Sequence, residues 1–311
     1  MRFGSGFLTD AASFPDAVAG EPWGGESRLL DLPGGPFHVI GLSARQAGLM
    51  DREYASVMVE GPSAGCVPHE TAVWRVEPGY FRELELEGWT YTLDLEATAE
   101  RLRIAALHFA ALVPRADGAA AGMWTSVEDR WFQGVIENYL RVMVAHRLLL
   151  RGGLLLHSAG TVVDGSAFLF VGASGAGKST VARKALAAGA PVLSDDLNAV
   201  VDTAGSPAVA RLPFTGELRD QHAFDGTVPL AGIAVLGKGD AVSCEALGRA
   251  EAAAAIVATA PYINRGADDL EGLMAAAVAL AERVPVARLT SARSSSFDEI
   301  ERAVRGLQRE P

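Results

Sequence analysis

Residues 172–180 read G-A-S-G-A-G-K-S-T and fill the pattern G-x-x-x-x-G-K-[ST] of a phosphate loop. Each residue type has a reason to be there. Gly172, Gly175 and Gly177 allow backbone conformations and close approaches that a side chain forbids, so successive N–H groups converge on phosphate oxygens. Ala173, Ser174 and Ala176 complete the cradle, and Thr180 leads into the following helix. Lys178 brings a point positive charge to the β- and γ-phosphates, and the Ser179 hydroxyl is suited to hold Mg²⁺. The chain contains only three lysines, Lys178, Lys184 and Lys238, so a lysine at the one position the loop requires is informative. A second group of chemical interest follows closely. Asp195 and Asp196 end an apolar run, and such a pair can divide into metal ligand and general base. The spacing leaves open which is which.

These groups need elements to hold them. Residues 168–171, F-L-F-V, read as a buried strand, and residues 180–188 as a helix closed by Gly189. Strand, loop and helix occur in the order the motif demands. Asp164-Gly165 between two apolar runs signals a two-residue hairpin. The strand entering the loop is then the second arm of an antiparallel hairpin, which points away from the all-parallel sheets of the common phosphate-loop NTPases. Residues 191–196 read as a strand ending in the acid pair, and residues 198–201 and 208–212 as a further hairpin. Residues 228–236 and 285–289 read as strands; 249–260, 268–283 and 297–307 read as helices.

The first third looks different. Residues 28–42 suggest two strands around Pro33-Gly34-Gly35-Pro36, with further strands at 55–60 and 71–76 and a strand pair over 83–95 turning at Gly88. Residues 97–112 fit either a short helix or a strand pair, and residues 1–23 an irregular start. His38, His69 and His108 are scattered singly and read as structural. Residues 114–122 read as a linker. Thr125 and Glu128 then form a capping-box pattern ahead of a long amphipathic helix reaching Leu150. The expected division is a β-rich domain at 1–123, suited to substrate recognition, and a phosphate-loop domain at 124–311.

Composition bounds the partners. With 311 residues, 49% hydrophobic and 21% charged, the chain can build one large or two moderate cores. A net charge of −11 disfavours nucleic acid, which calls for a basic face. Cys66 and Cys244 show no metal-ligand or C-x-x-C spacing and read as free thiols. No signal peptide and no run of about 18 apolar residues is present, so the expectation is a soluble, cytoplasmic protein without a membrane partner. Homo-oligomerisation is left open.

Taken together, residues 155–200 resemble the catalytic domain of the HPr kinase/phosphorylase family. The matching residues are His157 within L-L-L-H-S-A-G-T-V-V-D-G, the loop itself, and residues 189–196, G-A-P-V-L-S-D-D. The resemblance implies an α/β fold with α+β character and a mixed sheet, similar to phosphoenolpyruvate carboxykinase. It also implies ATP and Mg²⁺ as cofactors, with Lys178 and Ser179 on the phosphates and metal, and Asp195 as the second metal ligand. Asp196 or Asp195 is implied as base, and His157 beside the transferring phosphate. Thr180 stands where HPr kinase has Glu, and Glu217-Leu218-Arg219-Asp220 only echoes its E-x-R-G signature. The chain thus resembles a divergent relative, of the kind that includes peptide-tailoring kinases.

The leading expectation is an ATP-dependent kinase acting on a Ser or Thr hydroxyl of a protein or peptide. A small-molecule kinase using the same site, and an ATP-binding regulatory module without transfer, are the alternatives. The acid pair and His157 favour transfer, since a binder needs no base.

Overall fold

The structure is a computed structural model describing residues 4–62, 65–84, 92–116, 118–214, 216–218, 226–263 and 267–308. The chain divides into two compact units, residues 1–144 with 265–269, and residues 145–264 with 270–311. Both are mixed α/β.

The first unit carries β1 (Glu21–Pro22), β2 (Glu26–Leu32), β3 (Gly35–Leu42), α1 (Ala44–Glu53), β4 (His69–Arg75), β5 (Asp94–Ala97), β6 (Arg101–Ala106), β7 (Phe109–Pro114) and β8 (Ala121–Thr125). Most of α2 (Arg130–Leu149) also belongs to it. Its sheet runs β2-β3-β4-β8-β7-β6-β5, with β1 beside β4. β3 and β4 are parallel and joined through α1, whereas β5 to β8 form an antiparallel meander. The β2–β3 hairpin turns at Pro33-Gly34, with Gly34 at φ 94°.

Several expectations need correction here. Residues 55–60 are not a strand: Ala55–Val57 is a single 3₁₀ turn, and only Met58 bridges to Leu30. Residues 114–122 turn the β7–β8 hairpin, whose arms are adjacent strands of one sheet. Local composition is the same for a tight reversal and for a linker. The capping box at Thr125 and Glu128 does not form. Thr125 ends β8 with its hydroxyl donating to the His108 carbonyl, and Asp129 Oδ1 accepts from Trp131 N at 3.0 Å. α1 was not foreseen, although Ser43 and Gln46 make a true capping box. Residues 97–112 are the strand pair, and turn at His108, φ 64°. The expected turn at Gly88 lies outside the described residues.

The second unit carries β9 (Leu154–Val163), β10 (Ser166–Val171), α3 (Lys178–Ala187), β11 (Val192–Ser194), β12 (Leu197–Thr203), β13 (Ser206–Ala210), β14 (Thr227–Lys238), β15 (Ser243–Ala246) and α4 (Arg249–Thr259). α5 (Ala267–Arg283), β16 (Val286–Ser291) and α6 (Phe297–Arg305) follow. The order is β10-β9-β12-β13-β14-β16-β15, and an additional β10–β14 pairing closes a ring. Two long strands make the closure possible. β9 pairs with β12 over residues 154–157 and with β10 over 158–163. β14 likewise pairs with β13 at its start and with β10 further along. The sheet is mixed: β10 is antiparallel to β9, through a hairpin with Asp164 at φ 52° and Gly165 at φ 77°, and parallel to β14. β15, an exposed edge strand, has no alternation that would reveal it in sequence.

α3 and α6 pack on this sheet. Val181, Ala182 and Ala185 of α3 and Phe297, Ile300 and Val304 of α6 share one core with Ala159, Val163, Phe168 and Phe170. Among the described residues no helix is long and apolar enough to cross a membrane. Cys66 and Cys244 are free thiols.

Candidate functional site

The site is built outward from β10. Phe168, Leu169, Phe170 and Val171 are fully buried, so the strand is apolar on both faces and delivers residue 172 at a fixed place. A Cβ on Gly172 would lie 2.9 Å from the Ala176 Cβ, so glycine lets the loop close on itself. Gly175 (φ 77°) and Gly177 (φ 110°) have open space where a side chain would be; there the requirement is conformational. Ala173, Ser174 and Gly175 are exposed at the crest, and Ala176 N donates to Ala173 O at 3.0 Å.

Lys178 is the first residue of α3, with Gly177 as its N-cap. Its side chain is buried and folds back over the loop, Nζ donating to the carbonyls of Gly172 at 3.0 Å and Ala173 at 3.3 Å. Burial pulls its pKa below the usual lysine value, and the negative charge of Asp196 opposes that shift. Ser179 is half-buried in the first turn and Thr180 is exposed. The unpaired N–H groups of this turn carry the positive end of the helix dipole. Together the loop and helix end make an anion cradle with an ammonium at its base.

The acids arrive from the other direction. β11, Asp195, Asp196 and β12 form one extended run along the edge of β9, with a register shift between Val192 and Ser194, just ahead of the acid pair. Leu197 pairs with His157, which sets Asp196 opposite Ser158. Ser158 N donates to Asp196 O at 3.0 Å, while Asp196 N turns to Ser194 Oγ at 3.1 Å. Alternation along β9 puts His157 on the same face as Ala159 and Val163, which pack against α3. His157 Nε2 lies 3.6 Å from Asp196 Oδ1. Asp196 thus sits within electrostatic reach of Lys178 on one side and beside His157 on the other.

Asp195 is different. It is 5% exposed, and among the described residues its carboxylate has no hydrogen-bond or ion-pair partner. A buried carboxylate in that condition is costly unless a cation neutralises it. Gly216 lies against it, so closely that a Cβ there would be 2.1 Å from Asp195 Oδ1. Glu217 is held by an ion pair to Arg183 of α3, while Arg219 and Asp220 lie outside the described residues.

These residues fit a Mg²⁺ nucleotide. Among the described residues no cluster of three or more His, Cys, Asp or Glu could hold a metal by itself. Mg²⁺ asks for no such cage, because it keeps several waters and shares one or two protein oxygens with the phosphates. The Ser179 hydroxyl and the unpartnered Asp195 carboxylate are donors of that kind.

Four residues around the site were not foreseen: Ser194, Ser158, Asn198 and Gly216. Ser194, one residue ahead of the acids, had a readable signal, since serine before a reversal commonly accepts from the N–H two residues on. Gly216 had none, because nothing local marks which distant side chain it will touch. His69 is buried in the first unit and stands apart from the loop in sequence and in unit.

Residues 125–305 match the family model described as SynChlorMet cassette protein ScmC. No curated protein matches the chain in sequence. Among solved structures, the Hpr(Ser) kinase/phosphatase from Coxiella burnetii is 12% identical at a TM-score of 0.30, over 49% of this chain and 94% of that one. So slight a likeness carries no residue role across. The family match spans more than half of the chain and contains the loop, the hairpin and the acid-bearing strand, and on it the chain belongs to the ScmC family.

Proposed function

We propose that this chain is an ATP-dependent kinase of HPr-kinase-like type, transferring the γ-phosphoryl group to a Ser or Thr hydroxyl of a protein or peptide. One observation carries the reading: Asp196 lies beside an anion cradle, close enough to Lys178 for its charge to be felt and 3.6 Å from His157. A module that only bound nucleotide would have no use for a half-exposed carboxylate in that position.

Bound MgATP supplies the phosphoryl group and the divalent charge that makes it electrophilic. The residues of the chain do the rest. Backbone N–H groups of residues 172–179 hold phosphate oxygens, and Lys178 leaves its carbonyl partners to neutralise them. Ser179 and Asp195 hold the cation. Asp196 accepts the proton of the acceptor hydroxyl, and His157 orients that carboxylate and faces the developing charge. A neutral alcohol is a poor nucleophile, so positioning and charge neutralisation account for most of the rate. Catalysis belongs in this account to residues 124–311, and acceptor recognition to residues 1–123.

The test is mass spectrometry of the protein with ATP, Mg²⁺ and candidate Ser- or Thr-containing peptides. The expected outcome is one added phosphate on a hydroxyl residue, abolished in Asp196→Asn with nucleotide affinity retained. Phosphate appearing only on small hydroxylated compounds replaces the peptide acceptor with a small-molecule one. Turnover undiminished in Asp196→Asn removes the base.

A further inference from the structure

Beyond the register shift between Val192 and Ser194, the run that bears the acids departs from a regular ladder at Asp196, and that departure has a substitute donor. In an antiparallel pair, residues facing each other at a hydrogen-bonded position exchange two main-chain bonds. Ser158 and Asp196 exchange one. Ser158 N donates to Asp196 O at 3.0 Å, but Asp196 N has left Ser158 for Ser194 Oγ. The vacated acceptor is taken by a side chain. Asn198 Nδ2 donates to Ser158 O at 2.8 Å and to Ser158 Oγ at 2.9 Å.

Asn198 is 2% exposed, in the midst of the apolar residues Leu197, Ala199 and Val200. A buried amide there is unfavourable unless its bonds are made. Room for it is provided by Gly160, where a Cβ would lie 2.6 Å from Asn198 Oδ1. Ser194 releases the N–H, Asn198 satisfies the carbonyl, and the backbone at Asp196 is held out of the ladder from both ends.

We propose that Asn198 is a positioning residue for Asp196: its amide replaces the absent Asp196 N–H on the Ser158 carbonyl and so keeps the Asp196 carboxylate turned to Lys178 and His157. Without the amide, the Ser158 carbonyl is left unpaired in the core, and the cheapest remedy is the return of Asp196 N to the ladder. That return rotates the carboxylate away. The role rests on Asp196 being the base.

The test is Asn198→Leu, which keeps the branched outline of the side chain, is bulkier, and has no donors. Expected are a loss of kcat of roughly 10- to 100-fold, consistent with the cost of a misplaced catalytic group, with nucleotide Kd within about twofold because the loop is untouched. A crystal structure of the variant is expected to show Asp196 N on Ser158 O and a longer His157–Asp196 separation. Ser194→Ala, which frees the same N–H, should lose kcat similarly, and the double variant should cost little more than the larger single. Ser158→Ala keeps the carbonyl and should stay within about threefold of the parent on the same reasoning. A variant Asn198→Leu with parental kcat and an unmoved Asp196 overturns the role, as do additive losses in the double variant. If Asp196→Asn itself retains turnover, the failure belongs to the base assignment; if it is inactive while Asn198→Leu is not, the failure is that of Asn198 alone.

Discussion

The phosphate loop and the acid-bearing strand lie in the same unit and are built by opposite means. The loop is a local structure. Its shape follows from three glycines within six residues and from the helix that begins directly after them. The acid pair owes its position to β9, about forty residues earlier in the chain, to the Ser194 and Asn198 side chains, and to the contact with Gly216. The loop is therefore expected to survive changes in the acid strand, and the acid strand to be sensitive to residues that touch no ligand.

That contrast can be broken from either side, and the largest effect is expected at the loop. Lys178→Ala removes the only charged side chain of the cradle, and nucleotide affinity measured by calorimetry should fall by 100-fold or more, as loss of a charge-assisted contact of about 3 kcal/mol implies. Retained affinity would mean that the backbone alone binds the phosphates. Gly216→Ala is next. Its methyl group must displace either the backbone at 216 or Asp195, a clash costing about 1–3 kcal/mol. The expected result is weakened Mg²⁺ dependence and about tenfold lower turnover with a lower Tm. An unaffected variant would show that Asp195 does not bear on the metal.

The smallest effect sharpens the comparison by linking the two regions. Burial lowers the Lys178 pKa, so the folded chain gives up this proton at a pH where the unfolded chain still holds it. The unfolded state then binds more protons in the window from the folded pKa up to about 10.4, and stability contributed by this group rises with pH there. At neutral pH it contributes a penalty, which bound phosphate offsets. Nucleotide affinity should accordingly lose its lysine contribution below the ordinary lysine range. Asp196 opposes the shift, so Asp196→Asn should move that basic limb to still lower pH in a calorimetric pH series. A limb that stays put would separate the two regions electrostatically.

Among the described residues, the second unit was largely legible. Asp164-Gly165 foretold the hairpin, because a two-residue turn needs both residues at positive φ and few other pairs adopt it. The run F-L-F-V foretold a strand buried on both faces. The first unit was harder to read. Ser43 and Gln46 cap a helix in plain view, yet Thr125 and Glu128 show a similar pattern and do not, since Thr125 is bound into a sheet. A capping pattern needs the tertiary structure to leave its residue free.

What the sequence determined by itself is the loop, its lysine and serine, and the presence of two acids at a strand end. Those features rest on backbone torsions and on neighbours a few residues away. Only the tertiary structure decided that Asp196 lies beside His157 and within electrostatic reach of Lys178 while Asp195 is buried against Gly216. Two adjacent residues of the same type are equivalent in a sequence. Their difference comes from a pairing register and from side chains brought together by folding, and neither is encoded in local spacing.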